Sequence, residues 1–245
     1  MNTAMILCAG FGKRMESFTK DTPKPMLPIM NKPILEHTIR HLAELGFTNI
    51  VINLHYLPEQ ITEYFRDGKD FGVNIHYSYE NEPLGTAGAV KKVESILKNE
   101  KGFLVLYGDV VCNENYYNLL QFHRSKKNAI ATIVLHERKS SNSVVEMDSD
   151  NKIIRFIERP KDPVTDKKQD WVNSGLYCFR SDILNYIPQG VYCDFPKDVF
   201  PKLVEQGNIY GYPLTAYRCA IDSPERYAEA EAKAKADFPN FLKRR

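Results

Sequence analysis

The chain has 245 residues, 43% of them hydrophobic, which is enough to fill the core of one large α/β domain and leaves little room for two independent ones. Lys and Arg number 33 against 31 Asp and Glu, so the net charge of +2 excludes a general field for drawing in nucleic acid or an anionic membrane, and any affinity for anions must be local. No eighteen apolar residues run together, the start carries no basic segment, and Cys8, Cys112, Cys178, Cys193 and Cys219 form no Cys-x-x-Cys, so a cytoplasmic protein without structural zinc or a disulfide framework is expected.

In chain order, the apolar run over 4–8 enters Ala9-Gly10-Phe11-Gly12, which predicts a buried strand breaking into a glycine loop. After Asn31-Lys32-Pro33, the positions Ile34, Leu35, Ile39, Leu42 and Leu45 recur at helical spacing and stop at Gly46. Strands over 49–53, 74–79 and 103–107 alternate with helices over 58–65 and 86–97, and such repeated βα units imply a mainly parallel sheet covered on both faces. Beyond a helix over 114–122 and a strand over 129–136 the texture becomes β-rich. A hairpin of 144–147 and 152–157 turns through Asp148-Ser149-Asp150-Asn151, a charged mobile loop covers 161–170, and a strand covers 172–179. Helices over 181–187 and 195–206, a strand over 209–214 and a helix over 224–236 complete a single doubly wound, Rossmann-like α/β domain over 1–245, mainly parallel, whose second half supplies an additional β-rich layer covering the substrate.

Five segments carry chemistry. Leu7-Cys8-Ala9-Gly10-Phe11-Gly12-Lys13-Arg14-Met15 places glycines at a strand's carboxyl end, where backbone N–H groups can approach phosphate oxygens, with Arg14 and the later Lys24 adding charge. Met15 denies it the third glycine of a dinucleotide loop, Arg14 denies it the Ser or Thr of a Walker loop, and a plain strand-to-loop turn remains an alternative. Glu82-Pro83-Leu84-Gly85-Thr86-Ala87-Gly88 opens a helix with two glycines, either presenting free N–H groups to a ligand or simply capped by Thr86. Asp109, after Gly108 at the end of a buried strand, points into the crevice where open α/β sheets bind ligands, or else forms a turn. Glu158-Arg159-Pro160 and Asn173-Ser174-Gly175 offer groups that grip sugar hydroxyls, against a surface hairpin as the alternative. Asp222, in Ala220-Ile221-Asp222-Ser223-Pro224-Glu225, reads by itself as an N-cap of the last helix competing with Ser223. His37 and His41 lack the Glu of a zinc helix and read as a solvated pair, and Lys243-Arg244-Arg245 reads as a frayed terminus.

These residues resemble the sugar-1-phosphate nucleotidylyltransferases, whose signature is Gly-x-Gly-x-Arg followed by a Pro-Lys some ten residues on, and the likeness covers nearly the whole chain. The resemblance implies a nucleotide-binding half over 1–125 and a sugar-phosphate-binding half over 126–245. It assigns the nucleotide to Leu7, Ala9, Gly10, Gly12, Lys13, Glu82, Gly85, Thr86 and Gly88, and the sugar phosphate to Gly108, Glu158, Arg159, Asn173 and Gly175. Catalysis falls to Arg14, Lys24 and Asp109, and Mg²⁺ to Asp109 and Asp222. Many relatives carry a metal-binding acid where this chain has Ala220, which puts the second ligand in doubt. Asp194-Phe195-Pro196-Lys197-Asp198-Val199-Phe200 and the ending Ser223-Pro224-Glu225-Arg226-Tyr227 look most like guanylyl-transferring members acting on mannose- or manno-heptose-type 1-phosphates. CTP- or UTP-dependent transfer to another phosphate monoester and a non-catalytic nucleotide-sugar-binding subunit stay open. So does a homo-oligomer, though not one built on the C-terminal β-helical domain of some longer relatives. Neither nucleic acid nor membrane is an expected partner.

Overall fold

The computed structural model describes residues 2–241 apart from positions 139, 140, 142, 163 and 165. The first half builds β1 (Thr3–Leu7), α1 (Glu16–Thr19), the short pair β2 (Pro28–Ile29) and β3 (Lys32–Pro33), α2 (Ile34–Glu44), β4 (Asn49–Leu54), α3 (Pro58–Phe65), β5 (Asn74–Tyr79), α4 (Gly85–Lys92), α5 (Glu94–Leu97) and β6 (Phe103–Tyr107). Then follow β7 (Val110–Cys112), α6 (Tyr116–Ser125), β8 (Ala131–Glu137), β9 (Val144–Met147), β10 (Ile153–Ile157), β11 (Trp171–Phe179), α7 (Phe200–Glu205), β12 (Ile209–Pro213), β13 (Arg218–Ala220) and α8 (Pro224–Phe241).

Strands β5, β4, β1 and β6 lie side by side and parallel. Antiparallel β11 follows β6, then β8 antiparallel to β11, then β12 parallel to β8. The β9–β10 hairpin branches from the start of β11, where Trp171 pairs with both Glu137 and Val145. The central strands are apolar on both faces because both faces are covered. Met5 and Val105 sit in one core while Ala4, Ile6, Leu104 and Leu106 sit in the other. From β1 the chain fills β4 and β5 on one side and returns to β6 on the other. That reversal opens a crevice at the strands' carboxyl ends.

Several expected elements are corrected. The helix over 86–97 is two, because Val93 (φ −101°, ψ 24°) leaves helical geometry. The helix over 195–206 begins as a wide turn, Phe195–Val199, because Pro201 has no N–H to donate back to Lys197. Ser181–Tyr186 is a 3₁₀ turn. The β7–β13 and β2–β3 pairs are too short for any periodicity to announce them. His37 is buried rather than solvated while His41 is partly exposed, and each Nε2 bonds a backbone carbonyl, Ile29 O and Glu114 O, both at 2.8 Å. In the charged loop over 161–170, positions 163 and 165 lie outside the described residues. The rest is held by Arg155 to Asp166 at 3.1 Å and Lys167 to Asp170 at 2.7 Å. Residues 243–245 lie outside the described residues. The five cysteines are free, and all but Cys112 are buried. No helix among the described residues is long and apolar enough to cross a membrane.

His123 on α6 is buried with Nδ1 at 2.8 Å from Thr132 Oγ, and burial pushes its pKa down to about 4. The unfolded chain therefore binds a proton below about pH 6.5 that the folded chain refuses, so this group's stability is lost as pH falls from 6.5 to 4. The expected loss is up to about 3 kcal/mol. Urea midpoints taken across that window should fall in the wild type and fall less in His123→Gln.

Candidate active site

Strand β1 ends at Leu7, and the chain turns through Ala9 and Gly10 while Cys8 N donates to Asn53 Oδ1 at 2.9 Å. Arg14 then sits on a 3₁₀ turn, Lys13–Met15, with 62% of its side chain exposed and its Nη1 3.3 Å from Asp222 Oδ2. The Lys13 side chain lies outside the described residues. Lys24, on a second short turn, is buried, and its Nζ lies 3.1 Å from Asp109 Oδ2. Asp109 reaches this position because Gly108 lets β6 close on β1. A Cβ at residue 108 would come within 2.5 Å of Cys8 Sγ and 3.0 Å of Leu7 O.

Two cavities adjoin here. The smaller, ≈ 260 Å³, is walled by the glycine loop, Lys24, Gly85, Thr86 and Tyr192. The larger, ≈ 740 Å³, is walled by Arg14, Glu158, Arg159, Asn173, Gly175 and Asp222 among others. Tyr107, Asp109 and Asp194 line both. The smaller cavity also has a buried polar bracket. Asn53 Nδ2 donates to Glu80 Oε1 at 2.7 Å, and Leu84 N donates to Glu80 Oε2 at 2.9 Å.

On the larger side, β11 bulges between Asn173 and Tyr177. Asn173 Oδ1 accepts from Gly175 N at 2.9 Å, Asn173 Nδ2 donates to Tyr177 Oη at 2.9 Å, and Tyr177 donates to Tyr107 Oη at 3.1 Å. Gly175 is obligatory here, because φ is +73° and a Cβ would lie 2.9 Å from the Tyr107 ring. Burial raises the Glu158 pKa against the pull of Arg159, whose Nε is 3.3 Å from Oε1. Glu158 Oε2 is buried with no hydrogen-bond partner among the described residues, as befits a group that meets a ligand.

Asp222 is held between Arg14 (3.3 Å) and Arg226 (3.5 Å). The N-cap of α8 is Ser223, whose Oγ accepts from Arg226 N at 3.3 Å, so Asp222 is not the cap. Ile221 N donates to Asp109 O at 2.8 Å, and β13 pairs with β7 directly after Asp109. Both carboxylates thus line one cavity and are tied through backbone, while Ala220 lines it without a donor. Two carboxylates, one beside Lys24 and one beside Arg14, suit Mg²⁺, which keeps several waters and takes few protein ligands. No group of three or more His, Cys, Asp or Glu that could hold a metal by itself occurs among the described residues.

Residues 3–232 match the nucleotidyl transferase family. The chain belongs to that family. It is 39% identical to a UTP–glucose-1-phosphate uridylyltransferase of Synechocystis sp. over 83% of this chain and 55% of that protein. It is 35% identical to mannose-1-phosphate guanyltransferase 2 of Candida glabrata over 91% of this chain and 62% of that one. The chain thus spans little more than half the length of these curated relatives. Among solved structures, HddC from Yersinia pseudotuberculosis is 27% identical with a TM-score of 0.79, covering 95% of this chain and 99% of HddC. That protein has also been crystallised with GMP-PN, with a TM-score of 0.78.

For a nucleotidyl transferase chain, the expected residues Leu7, Ala9, Gly10, Gly12, Lys24, Gly85, Thr86 and Asp109 do converge on the smaller cavity, and Arg14, Glu158, Arg159, Asn173, Gly175 and Asp222 on the larger. Three others lie off the cavity walls. Glu82 is exposed and Glu80 stands in the wall instead. Gly88 is buried in α4, and Gly108 is packing between strands. Of the first N–H groups of α4, only that of Gly85, which lines the smaller cavity, has no partner among the described residues, and the next three are taken. Cys193 O accepts from Ala87 N and Gly88 N, and Asp194 Oδ1 accepts from Thr86 N at 3.0 Å and Thr86 Oγ at 2.9 Å. Asn53, Glu80, Tyr192, Asp194, Lys197 and Arg218 escaped the sequence reading. Only the Asp194-to-Phe200 segment had been singled out there, for substrate class.

Proposed function

We propose that this chain joins a nucleoside triphosphate, GTP, to a sugar 1-phosphate of mannose or manno-heptose type, giving a nucleotide sugar and pyrophosphate. The observation that carries the reading is the seam between two cavities at Lys24 and Asp109. One cavity is bounded by a glycine loop and the other by sugar-gripping polar groups. The names of the mannose-1-phosphate relatives and the GMP-PN complex of HddC support guanine. So does Glu80. A carboxylate has about four acceptor positions, Asn53 and Leu84 take two, and the remainder suits the adjacent N–H donors of guanine. Residues 1–125 supply most of the nucleotide wall and residues 126–245 most of the sugar wall, with Tyr192 and Asp194 crossing into the former.

A phosphate monoester is largely dianionic at neutral pH, so the nucleophile needs no general base. Its oxygen bonds to the α-phosphorus as the α–β bridging bond breaks, and pyrophosphate departs with the electron pair toward Arg14. Lys24 stabilises charge on the equatorial oxygens, Arg159 steadies the sugar phosphate, and Glu158, Asn173 and the space at Gly175 orient the ring. Asp109 and Asp222 would hold Mg²⁺, which supplies charge neutralisation at the phosphates. The cytoplasm, where nucleoside triphosphates are made available, is the compartment we assign.

Pyrophosphate release measured with GTP, UTP, CTP and ATP against mannose and glucose 1-phosphates tests this. GTP should exceed the others by ~10-fold or more in kcat/KM, the worth of about one discriminating hydrogen bond. A preference for UTP would transfer the reading to the uridylyl side of the family. Tight nucleotide-sugar binding with no Mg²⁺-dependent turnover for any triphosphate would make the chain a binding subunit.

A further inference from the structure

This inference rests on the sugar-phosphate reading of the larger cavity. That cavity is ≈ 740 Å³ against ≈ 260 Å³ on the nucleotide side, although a hexose is smaller than a nucleoside. Six Lys or Arg side chains line it against four Asp or Glu. Part of that excess is spoken for, since Arg14 pairs with Asp222 and Arg159 with Glu158. Arg218 is different.

Arg218 and Ala220 are two residues apart on β13, so they project from one face about 7 Å apart along the strand. Ala220 pairs with Val110 beside Asp109, whereas Arg218 pairs with Cys112. The Arg218 backbone therefore lies one strand repeat further from Asp109 than Ala220 does, while its guanidinium still feels the Asp109 charge. Its Nε and Nη2 both donate to Ser174 O, at 3.2 and 2.9 Å, inside the bulge between Asn173 and Gly175. That fixes the fork against the sugar wall and leaves Nη1 without a partner among the described residues.

Arg218 makes no ion pair among the described residues, although burial is the main influence lowering its pKa. A guanidinium withdrawn from water without a counter-charge is costly until an anion arrives. Two further arginines stand close by. His136, whose Nδ1 is 2.9 Å from Ser174 Oγ, is pushed down to about 4 by burial and then by Arg218, Arg226 and Arg138 together. Three guanidiniums thus lie within electrostatic reach of an imidazole that stays neutral at physiological pH. Of the three, Arg226 alone pairs with a carboxylate among the described residues, Asp222, which it shares with Arg14.

We propose that Arg218, with Arg138 and Arg226, forms a second anion subsite at the far end of the sugar cavity, so that the preferred substrate is a sugar 1-phosphate carrying another anionic group, carboxylate or phosphate, away from C1. A fixed planar fork recognises either group through paired charge-assisted hydrogen bonds. A neutral hexose would leave this half-buried guanidinium with Nη1 unpartnered, no ion pair among the described residues, and only the Asp109 charge beyond ion-pair distance to offset it.

The test compares kcat/KM for pyrophosphate release from GTP with mannose 1-phosphate, mannuronic acid 1-phosphate and mannose 1,6-bisphosphate. At least one of the two anionic sugars should be preferred by roughly 10- to 100-fold, the range of a charge-assisted hydrogen bond. The two arms separate carboxylate from phosphate. Arg218→Met should bring the ratio toward one, its fold checked by thermal melting. Arg138→Ala, at an exposed side chain, should lower the ratio in part. Equal use of the neutral sugar overturns the subsite. So does an equal loss on all three sugars in Arg218→Met, which would place Arg218 on the reacting phosphates. With no turnover on any sugar the enzymatic reading fails instead, and calorimetric binding of the same three compounds decides the subsite by the same ratio.

Discussion

Asp109→Asn should lower kcat by ~10³-fold or more, the scale of losing a principal charge-stabilising group at a transition state, while triphosphate affinity holds or rises. Asn keeps the shape and one oxygen acceptor for Lys24 Nζ, now 3.1 Å away, so the short turn bearing Lys24 stays in place. The lost negative charge leaves Lys24 uncompensated in a buried site, and an incoming triphosphate supplies what is missing. Binding and turnover therefore part company. Steady-state kcat and a calorimetric Kd for the triphosphate measure the two separately, and an equal fall in both would contradict the role given to this carboxylate.

Lys24→Met should lower kcat/KM by roughly 10²- to 10³-fold, with binding and turnover both affected. Two unit negative charges ~4 Å apart repel by about 4 kcal/mol at an effective dielectric near 20, and removing Lys24 leaves Asp109 facing the phosphates with no fixed cation between them. The two substitutions act on one ion pair, so the double variant should be less impaired than the product of the single effects. Full multiplicativity, with melting temperatures showing all three proteins folded, would mean that Lys24 and Asp109 serve separate steps.

The parallel half of the fold was legible because its signals are local. The run into Ala9-Gly10, the helical spacing stopped by Gly46 and the strands at 74–79 and 103–107 each state their own structure, and α3, β5 and β6 fall on the expected residues. The glycine loop, Lys24 and Asp109 meet at one crevice, but local signals alone left a plain turn open there, and it was the family resemblance that singled these residues out. What stayed hidden depends on partners distant in sequence. Glu80 matters because Asn53, on the neighbouring strand, turns it into the cavity wall; Glu82, two residues on, carries the same chemistry out into solvent. Asp194 is recruited by Thr86, more than a hundred residues earlier. Arg218 and Ala220 share a face only because β13 finds β7, and three-residue strands carry no pattern to read.

The Asp194 carboxylate has a consequence for anyone who would retool this scaffold. One oxygen accepts from Thr86 at the mouth of the nucleoside chamber and the other from Tyr192 at 2.7 Å, while the same side chain faces the sugar chamber. A change there made to admit a different sugar would also loosen the opposite wall, so acceptor range and donor affinity would drift together. Directed evolution for new sugars has freer ground at Arg138, which projects from the rim and makes no side-chain bond to the donor side among the described residues.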